Sequence, residues 1–387
     1  MLYATRPVRF LEACLRLPLS TRDEEMRINL AAAGQRPMDP VPFYHVADAC
    51  RAAGAGELWH EGVRIAFALP HQTPEQVYLR GKAKLRLGDW SGWTDYDQRQ
   101  SHPDSTCTRS RAHRELHWRH KMWDGHEDLS ALTVLVVPQG GFGDTIQMLR
   151  FVPALIARAK QVVLAVQAEL VTFVAHNFGA AATVIPAERA VDISFDRYVH
   201  TMSLPSLFGS LPAFIPLLSG GADQQRSSRD VRHRLRIGVC WACRSGVRNE
   251  QDRRIPIAVL APLFGRSNVE WWSLQVGERA TEGKAYCDVV EPKLESFQDT
   301  AEVIASLDCV VTVDTAVAHL AGSLGARTLL ALSCAASWRW GLGDSTPWYP
   351  TLCIARQQVP GDWGLVLDII ASVLENGSTP PRQNHAW

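Results

Sequence analysis

The spacing of apolar and polar positions changes partway along this chain of 387 residues. Over roughly the first hundred residues, apolar and small side chains recur at the spacing of amphipathic helices, in VADACRAAGAGELWHEGVRIAFALP and PEQVYLRGKAKLRLGDWSGWTDYDQ. We find no convincing strand pattern before about residue 98. The pattern therefore predicts a helical N-terminal segment.

The two helical stretches align at an offset of 34 residues, which places Ala47 and Gly54 opposite Gly81 and Gly88. A small residue, a glycine between paired helices and a closing proline such as Pro70 are typical of tetratricopeptide repeats. Two such repeats cannot bury a core alone, so we expect the segment to pack on the rest of the chain. A plain helical extension is the alternative interpretation.

Residues 98–126 are polar and basic, QRQSHPDSTCTRSRAHRELHWRHKMWDGH. Cys107, His113, His117 and His120 suggest zinc, but their spacing fits no standard finger and no CxxC motif is present. A solvated linker is predicted here, with no metal site.

After residue 130, apolar runs of strand length alternate with helical stretches. ALTVLVVPQ and QVVLAVQ read as buried strands, and TIQMLRFVPALIARA between them reads as a helix that Pro153 should kink or shorten. This β-α-β order predicts a parallel sheet. AATVIP and DRYVHT are shorter strand candidates.

A second series of the same kind comes after the turn-rich segment LPAFIPLLSGGADQQRSSRD. Its strands are predicted at LRIGVCWA, NVEWWSLQ, CVVTVD and RTLLALS, with helices at IPIAVLAPLF, TAEVIASL and TAVAHLAGSLG. Two α/β halves of similar size, joined by a linker, are expected to leave a cleft between them, with ligands beyond the carboxyl ends of the strands.

The predicted boundaries are 1–122 for the helical segment and linker, 123–225 for the first half and 226–387 for the second. The last apolar helix, DWGLVLDIIASVLEN, is expected to cross back and brace the first half.

Charge, hydrophobicity and cysteine content limit the partners and the cellular location that we expect for the chain. Lys plus Arg equals Asp plus Glu at 40 each, which predicts neither nucleic acid nor an anionic membrane as a partner. No apolar run approaches the roughly 18 residues of a membrane helix. The nine cysteines form no framework and the N-terminus does not read as a leader peptide, so reduced thiols and a cytoplasmic location are expected.

The turn PQGGFGDTIQ comes directly after the first strand. Gly140, Gly141 and Gly143 allow a tight turn and close approach of the backbone to a ligand. Ile146 stands where the dinucleotide fingerprint needs its third glycine, and no Lys-Ser or Lys-Thr pair completes a P-loop, so a dehydrogenase is a weak alternative. Asp144 can cap the helix after the turn or serve as a general base, and the sequence leaves both roles open.

The turn VDTAVAHLAGSLGA lies at the corresponding edge of the second half. Asp314 and Thr315 stand where a strand ends and a helix begins, and the N–H groups of that first turn can receive a diphosphate. His319, one turn further, can hydrogen-bond a phosphate or sugar oxygen, or it can be satisfied within the fold.

The loop ACRSGVRNEQDRRIPIAVL comes after strand LRIGVCW and carries several arginines on the predicted cleft side. These are Arg244, Arg248, Arg253 and Arg254. Guanidinium groups suit a phosphate-bearing ligand, and a solvated charged loop is the alternative. Cys240 and Cys243 lack a partner pair, so buried thiols are predicted rather than a redox or zinc site.

Together these segments resemble a known family. GGFGDTIQMLRFVPAL, RRIPIAVLAPL, SLQVGE, VDTAVAHLAGSLG and SWRWGLGDSTPWYP occur in the order found in bacterial proteins that join tetratricopeptide repeats to a heptosyltransferase-like glycosyltransferase family 9 domain. The resemblance runs from about Trp123 to the C-terminus.

The resemblance implies an α/β fold of GT-B type, in which two Rossmann-like domains face a cleft, with acceptor in the first and nucleotide-sugar in the second. It also implies inverting transfer with neither metal nor resident cofactor. It implies that Asp144 is the catalytic base. It places the donor at Trp241, Arg253, Arg254, Gln275, Asp314, Thr315, Ala318 and His319. It places the acceptor-side turn at Gly140, Gly141, Gly143 and Gln147.

Because of two departures from the family pattern, the resemblance does not establish which donor the chain uses or that a donor binds. Ala316 replaces a glycine, and Cys243, Arg244 and Ser245 replace a Gly-Asn-Pro turn after Trp241, although Asn249 and Arg253 fit nearby positions. The acceptor can be a glycan, a lipid or a protein. The alternative function is a non-catalytic sugar-nucleotide or protein-binding module whose N-terminal helices recruit a partner.

Overall fold

The structure, a computed structural model, describes residues 2–17, 23–101, 118–218, 234–244, 250–285 and 289–376. A helical segment precedes two parallel sheets that are flanked by helices, as the α/β prediction requires. The helices of the segment are α1 (Leu2–Cys14), α2 (Asp23–Gln35), α3 (Pro40–Ala52), α4 (Gly56–Phe67), α5 (Pro74–Arg86) and α6 (Gly92–Tyr96).

The turns after α3 and α5 have the same backbone conformation. Gly54 has φ of +80° and Gly88 has φ of +84°, a left-handed conformation that glycine adopts without strain and that commonly ends helices. The predicted offset of 34 residues therefore corresponds to equivalent turns.

Small residues also bring the helices of each pair close together. A Cβ built on Gly62 of α4 would lie 2.9 Å from the Cβ of Ala47, and one on Gly92 of α6 would lie 2.7 Å from the carbonyl oxygen of Gly81. Ala47 and Gly81 are the positions that the offset makes equivalent. Their identity as tetratricopeptide repeats stays a prediction.

The first sheet is all parallel, in the order β3-β2-β1-β4. Its strands are β1 (Thr133–Val137), β2 (Gln161–Val166), β3 (Thr183–Pro186) and β4 (Arg197–His200). Its helices are α7 (Phe142–Met148), α8 (Val152–Ile156), α9 (Val171–Phe178) and α10 (Leu204–Phe208). A 3-10 turn separates α7 from α8, and Pro153 lies in the first turn of α8, where a missing N–H is tolerated. The predicted interruption at Pro153 is confirmed.

The second sheet is also all parallel, in the order β6-β5-β7-β8-β9. Its strands are β5 (Leu235–Cys240), β6 (Val269–Ser273), β7 (Cys309–Val313), β8 (Thr328–Leu332) and β9 (Leu352–Arg356). Its helices are α11 (Glu250–Arg253), α12 (Ile257–Phe264), α13 (Phe297–Ser306), α14 (Ala316–Ser323) and α15 (Gly364–Asn376). The apolar pattern predicts the first four strands and misses β9.

The position of the last helix corrects a prediction. Val366, Ile370 and Val373 of α15 are buried in the core of the second sheet, together with Val239 and Ile257. The helix therefore covers its own half, and the expectation that it crosses back to brace the first half is wrong. The apolar face of α15 packs on the neighbouring face of the second sheet.

One hydrophobic core joins all three parts of the chain. It includes Met148 and Phe151 of the first half with Leu320 and Trp338 of the second. From the helical segment, the ring of Trp93 lies 5.4 Å from that of Trp338, centroid to centroid. The segment thus packs on the loop between β8 and β9, as expected. The premise that its helices bury no core alone is wrong, because α1–α5 also bury a core of their own, which includes Phe43 and Trp59.

The sheet orders locate the ligand edge of each half. In the first sheet β1 lies between β2 and β4, and in the second β5 lies between β6 and β7. Strands are added first on one side of β1 or β5 and then on the other. The loops after β1 and β4 therefore diverge, as do those after β5 and β7, and each pair leaves a crevice. Of the two turns that the sequence singles out, the first follows β1 and the second follows β7, the neighbour of β5.

Candidate active site

The glycine-rich turn after β1 holds Asp144 in a fixed position. Gly140 has φ of +89°, and a Cβ at this residue would collide with the Asp144 carboxylate. The backbone N–H of Gly141 donates to Oδ2 of Asp144 at 2.8 Å. Asp144 therefore caps the start of α7, which is the structural one of its two predicted roles.

The other carboxylate oxygen of Asp144 is paired with an arginine from the second half. Nη2 of Arg339 lies 2.5 Å from Oδ1 of Asp144. Ser337 accepts a hydrogen bond from Nη1 of Arg339 at 3.1 Å, and the guanidinium lies 4.6 Å from the ring centroid of Trp338. Burial is the largest single influence on the pKa of Arg339 and lowers it, but Asp144 and the weaker influences of Tyr96, Asp314 and Tyr78 together outweigh burial, so this pKa lies above its usual range.

The turn after β7 holds the second acid. Thr315 caps α14 by accepting from the N–H of Val317 at 3.2 Å. Asp314 is buried, and its Oδ1 lies 3.3 Å from Nη2 of Arg253, which also donates to the Asp314 carbonyl oxygen. Oδ2 of Asp314 has no hydrogen-bond partner among the described residues. Ala318 packs in the core, with its N–H bonded to the carbonyl of Thr315.

His319 brings the two turns into contact. A Cβ on Gly143 would lie 2.6 Å from Cδ2 of His319, so only glycine allows this approach. Nδ1 of His319 lies 2.9 Å from the hydroxyl of Tyr349, and the ring stacks on Trp340 at 4.8 Å. Burial lowers the pKa of His319 to about 4, so the ring is neutral at pH 7.

Trp241 lies just after β5, and Gln275 lies just after the neighbouring strand β6. The indole N–H of Trp241 donates to Glu282 at 3.0 Å, and Oε1 of Gln275 accepts from the N–H of Ala242 at 3.0 Å. Both side chains are buried. They fix the loop after β5 through these bonds.

The remaining predicted residues of the second crevice differ in exposure. Arg254 is half-buried and Arg244 is exposed, whereas Ser245, Arg248 and Asn249 lie outside the described residues. Cys240 and Cys243 are buried free thiols, as predicted, and burial raises the pKa of Cys240 to about 11.

Gln147 is an unexplained polar group close to the glycine-rich turn. It lies in α7 one turn after Gly143 and is buried, yet neither amide atom has a hydrogen-bond partner among the described residues. Buried amides are normally satisfied. An orphaned amide beside the glycine turn is compatible with the acceptor-side role that the sequence predicts.

The helical segment supplies a residue that sequence reasoning missed. Nε of Arg99 donates to Oε1 of Gln139 at 3.0 Å, and Nη2 donates to Oγ of Ser203 at 2.9 Å. Gln139 lies after β1 and Ser203 lies after β4, so Arg99 spans the crevice of the first sheet. Arg339 was missed in the same way, because neither arginine belongs to a local motif with its partner.

The described residues include neither a cluster of metal-binding side chains nor a helix that could span a membrane. Among these residues, no three His, Cys, Asp or Glu side chains are grouped as a metal site. The cluster rejected as a zinc site lies mostly elsewhere, since Cys107, His113 and His117 are outside the described residues. Among the helices described, none has both the length and the apolar character of a membrane span.

Comparison with known proteins gives structural neighbours only. No protein-family model matches the chain, and no curated protein matches it in sequence. The E. coli heptosyltransferase WaaC, solved with ADP-2-deoxy-2-fluoro heptose, is 16% identical, covers 64% of this chain and 100% of its own, and has a TM-score of 0.42.

Two further solved structures are similar at the same level. E. coli ADP-heptose LPS heptosyltransferase II is 14% identical over 63% of this chain and 99% of its own, with a TM-score of 0.43. A glycosyl transferase family 9 protein from Veillonella parvula is 12% identical over 68% and 94%, with a TM-score of 0.39. A function for this chain must therefore rest on its own residues.

Proposed function

We propose that the protein is a GT-B glycosyltransferase that moves a sugar from a nucleotide-sugar donor to a hydroxyl group of a glycan, lipid or protein. The observation that best supports this proposal is the meeting of the two strand-end turns. Gly143 of the acceptor-side turn lies against His319 of the donor-side turn, and both Asp144 and Asp314 act electrostatically on that histidine. An acid and a diphosphate-binding helix start are thus close together.

The proposed reaction is a single inverting displacement without a metal ion. Asp144 takes the proton of the acceptor hydroxyl while its oxygen bonds to the anomeric carbon. The bond from that carbon to the diphosphate breaks, and the nucleoside diphosphate leaves with the electron pair. The N–H groups at the start of α14, with Arg253 and Arg254, stabilise the charge on the leaving group.

His319 would act as a neutral hydrogen-bond donor in this scheme. Burial raises the pKa of Tyr349 above its usual range, so its hydroxyl stays protonated and can donate to Nδ1 of His319. The proton of the imidazole then resides on Nε2, the nitrogen nearer to Gly143. A donor at this position suits a sugar or phosphate oxygen.

The test is a panel of ADP-, UDP-, GDP- and dTDP-sugars with release of nucleoside diphosphate as the readout, and calorimetric binding of the diphosphates. We expect release from at least one donor, and about tenfold weaker binding by Asp314→Ala and His319→Ala. Asp299→Asn is the matched control, because Asp299 caps α13 and belongs to neither turn. Unchanged affinity in both site variants would refute the donor assignment.

A non-catalytic sugar-nucleotide or protein-binding module is the second candidate. It is favoured by one observation, that both oxygens of Asp144 are already engaged, by Gly141 and by Arg339. Such a module would bind a nucleotide-sugar in the same assay without releasing the diphosphate.

A further inference from the structure

The ion pair between Asp144 and Arg339 joins the acceptor-side turn to the loop between β8 and β9. The two side chains are similarly shielded, with 19% and 18% of their surfaces exposed. The proposed base thus has its second oxygen blocked by a cation from the donor-binding half. A hydroxyl that approaches Oδ1 of Asp144 must therefore compete with Arg339 for that oxygen.

Arg339 has capacity for a second anion. Its Nη groups contact Asp144 and Ser337, but its Nε is buried without a hydrogen-bond partner among the described residues. Besides Asp144, the ionisable groups that act on it include Asp314 and Tyr96. Asp314 marks the start of α14, so the guanidinium lies within electrostatic reach of the predicted diphosphate position.

Charge favours an exchange of partners at this arginine. A diphosphate offers more negative charge and more acceptor oxygens than one carboxylate, and a guanidinium binds phosphate oxygens through two parallel hydrogen bonds. Asp144 would keep its hydrogen bond from the N–H of Gly141 after the exchange. The carboxylate would therefore stay in place with one oxygen free.

We propose that Arg339 exchanges Asp144 for the diphosphate of the donor, so that the base becomes available only when the donor is bound. This inference rests on the proposed function and adds to it a binding order, donor before acceptor, and a phosphate-binding residue. The chain would thereby avoid activating an acceptor hydroxyl, or water, in the absence of a sugar to transfer.

Competition for Arg339 can be measured without turnover, with inorganic pyrophosphate as the probe and calorimetry as the readout. We expect Asp144→Asn to bind pyrophosphate about threefold or more tightly than the wild type, because the competing carboxylate charge is gone. Arg339→Gln should bind it more weakly. Arg339→Lys should bind with intermediate affinity, because it keeps the charge and loses the two parallel hydrogen bonds, and the double variant should match Arg339→Gln.

Asp299→Asn is the matched control, since Asp299 also caps a helix from its third residue but has no arginine partner among the described contacts. It should bind pyrophosphate as the wild type does, and thermal melts should show that each variant is folded. The exchange is refuted if the wild type does not bind pyrophosphate, if Asp144→Asn binds no more tightly, or if its gain persists without Arg339.

Different results would refute the transferase proposal and the exchange proposal. Coupling between Asp144 and Arg339 with no diphosphate release from any nucleotide-sugar would retain the exchange and refute the transferase. Turnover without coupling would retain the transferase and refute the exchange.

Discussion

At the scale of single residues, two polar groups of the candidate site are each held by more than one partner. Asp144 is fixed by Gly141 and Arg339, and His319 by Tyr349 and the Trp340 ring. Groups fixed in advance need little reorganisation when charge develops during a reaction. This arrangement is what a preorganised active site requires.

Gly140→Ala tests how the first turn holds its acid. The residue needs a positive φ, and the added methyl group would collide with Asp144, so we expect unfolding to cost about 1–3 kcal/mol less than in the wild type. Urea denaturation measures this change. Gly265→Ala is the control, because Gly265 has φ of −71° and no atom within 4 Å of the added carbon. Equal effects of the two changes would contradict the account.

The neutral state of His319 predicts a pH dependence of stability. Its pKa is about 4 in the folded chain and about 6.5 when unfolded, so the unfolded chain binds more protons between these values. The stability contributed by the neutral ring is therefore complete above about pH 6.5 and lost as pH falls towards 4, at most about 3 kcal/mol. Urea denaturation at pH 7.5 and 5 should show a smaller loss for His319→Gln than for the wild type. Parallel pH profiles would contradict this prediction.

At the scale of elements, the helical segment is part of the candidate site. Arg99 bonds the residues that lie after β1 and β4, and Trp93 packs on Trp338, the neighbour of Arg339. Arg86 of α5 donates to the carbonyl of Ala336 in the same loop. The segment therefore supports the loop that carries Arg339, in addition to any partner that it recruits.

Trp93→Ala tests this support. Removing a fully buried indole is expected to lower the free energy of unfolding by about 3–5 kcal/mol. It should also weaken pyrophosphate binding, because the loop that presents Arg339 loses its packing. Leu87→Ala in the same segment is the control, since this side chain is exposed, and it should change neither quantity. A Trp93 variant with normal stability would show that the segment is merely appended.

The sequence predicts strands better than it predicts contacts between residues that are distant along the chain. Buried parallel strands are continuous apolar runs, so β1 and β5 are evident, whereas β9 ends in an arginine and comes after a loop rich in Trp and Pro. The strand-end rule brings Asp144, Asp314 and His319 to one region in advance. No local period relates Asp144 to Arg339, because the tertiary fold alone makes them neighbours.

At the scale of the whole molecule, two halves and a helical segment share one core and one contact between turns. The shared core fixes the distance between Asp144 and the start of α14. The central claim is that these two turns act together in one transfer reaction.

The most direct test is single-turnover release of nucleoside diphosphate by the wild type and by Asp144→Asn, with donor affinity measured for both. A general base accounts for about 10²–10⁴-fold in rate, so we expect a loss in this range with donor binding as tight as in the wild type or tighter. Equal release rates would contradict the account, because Asp144 would then only cap α7.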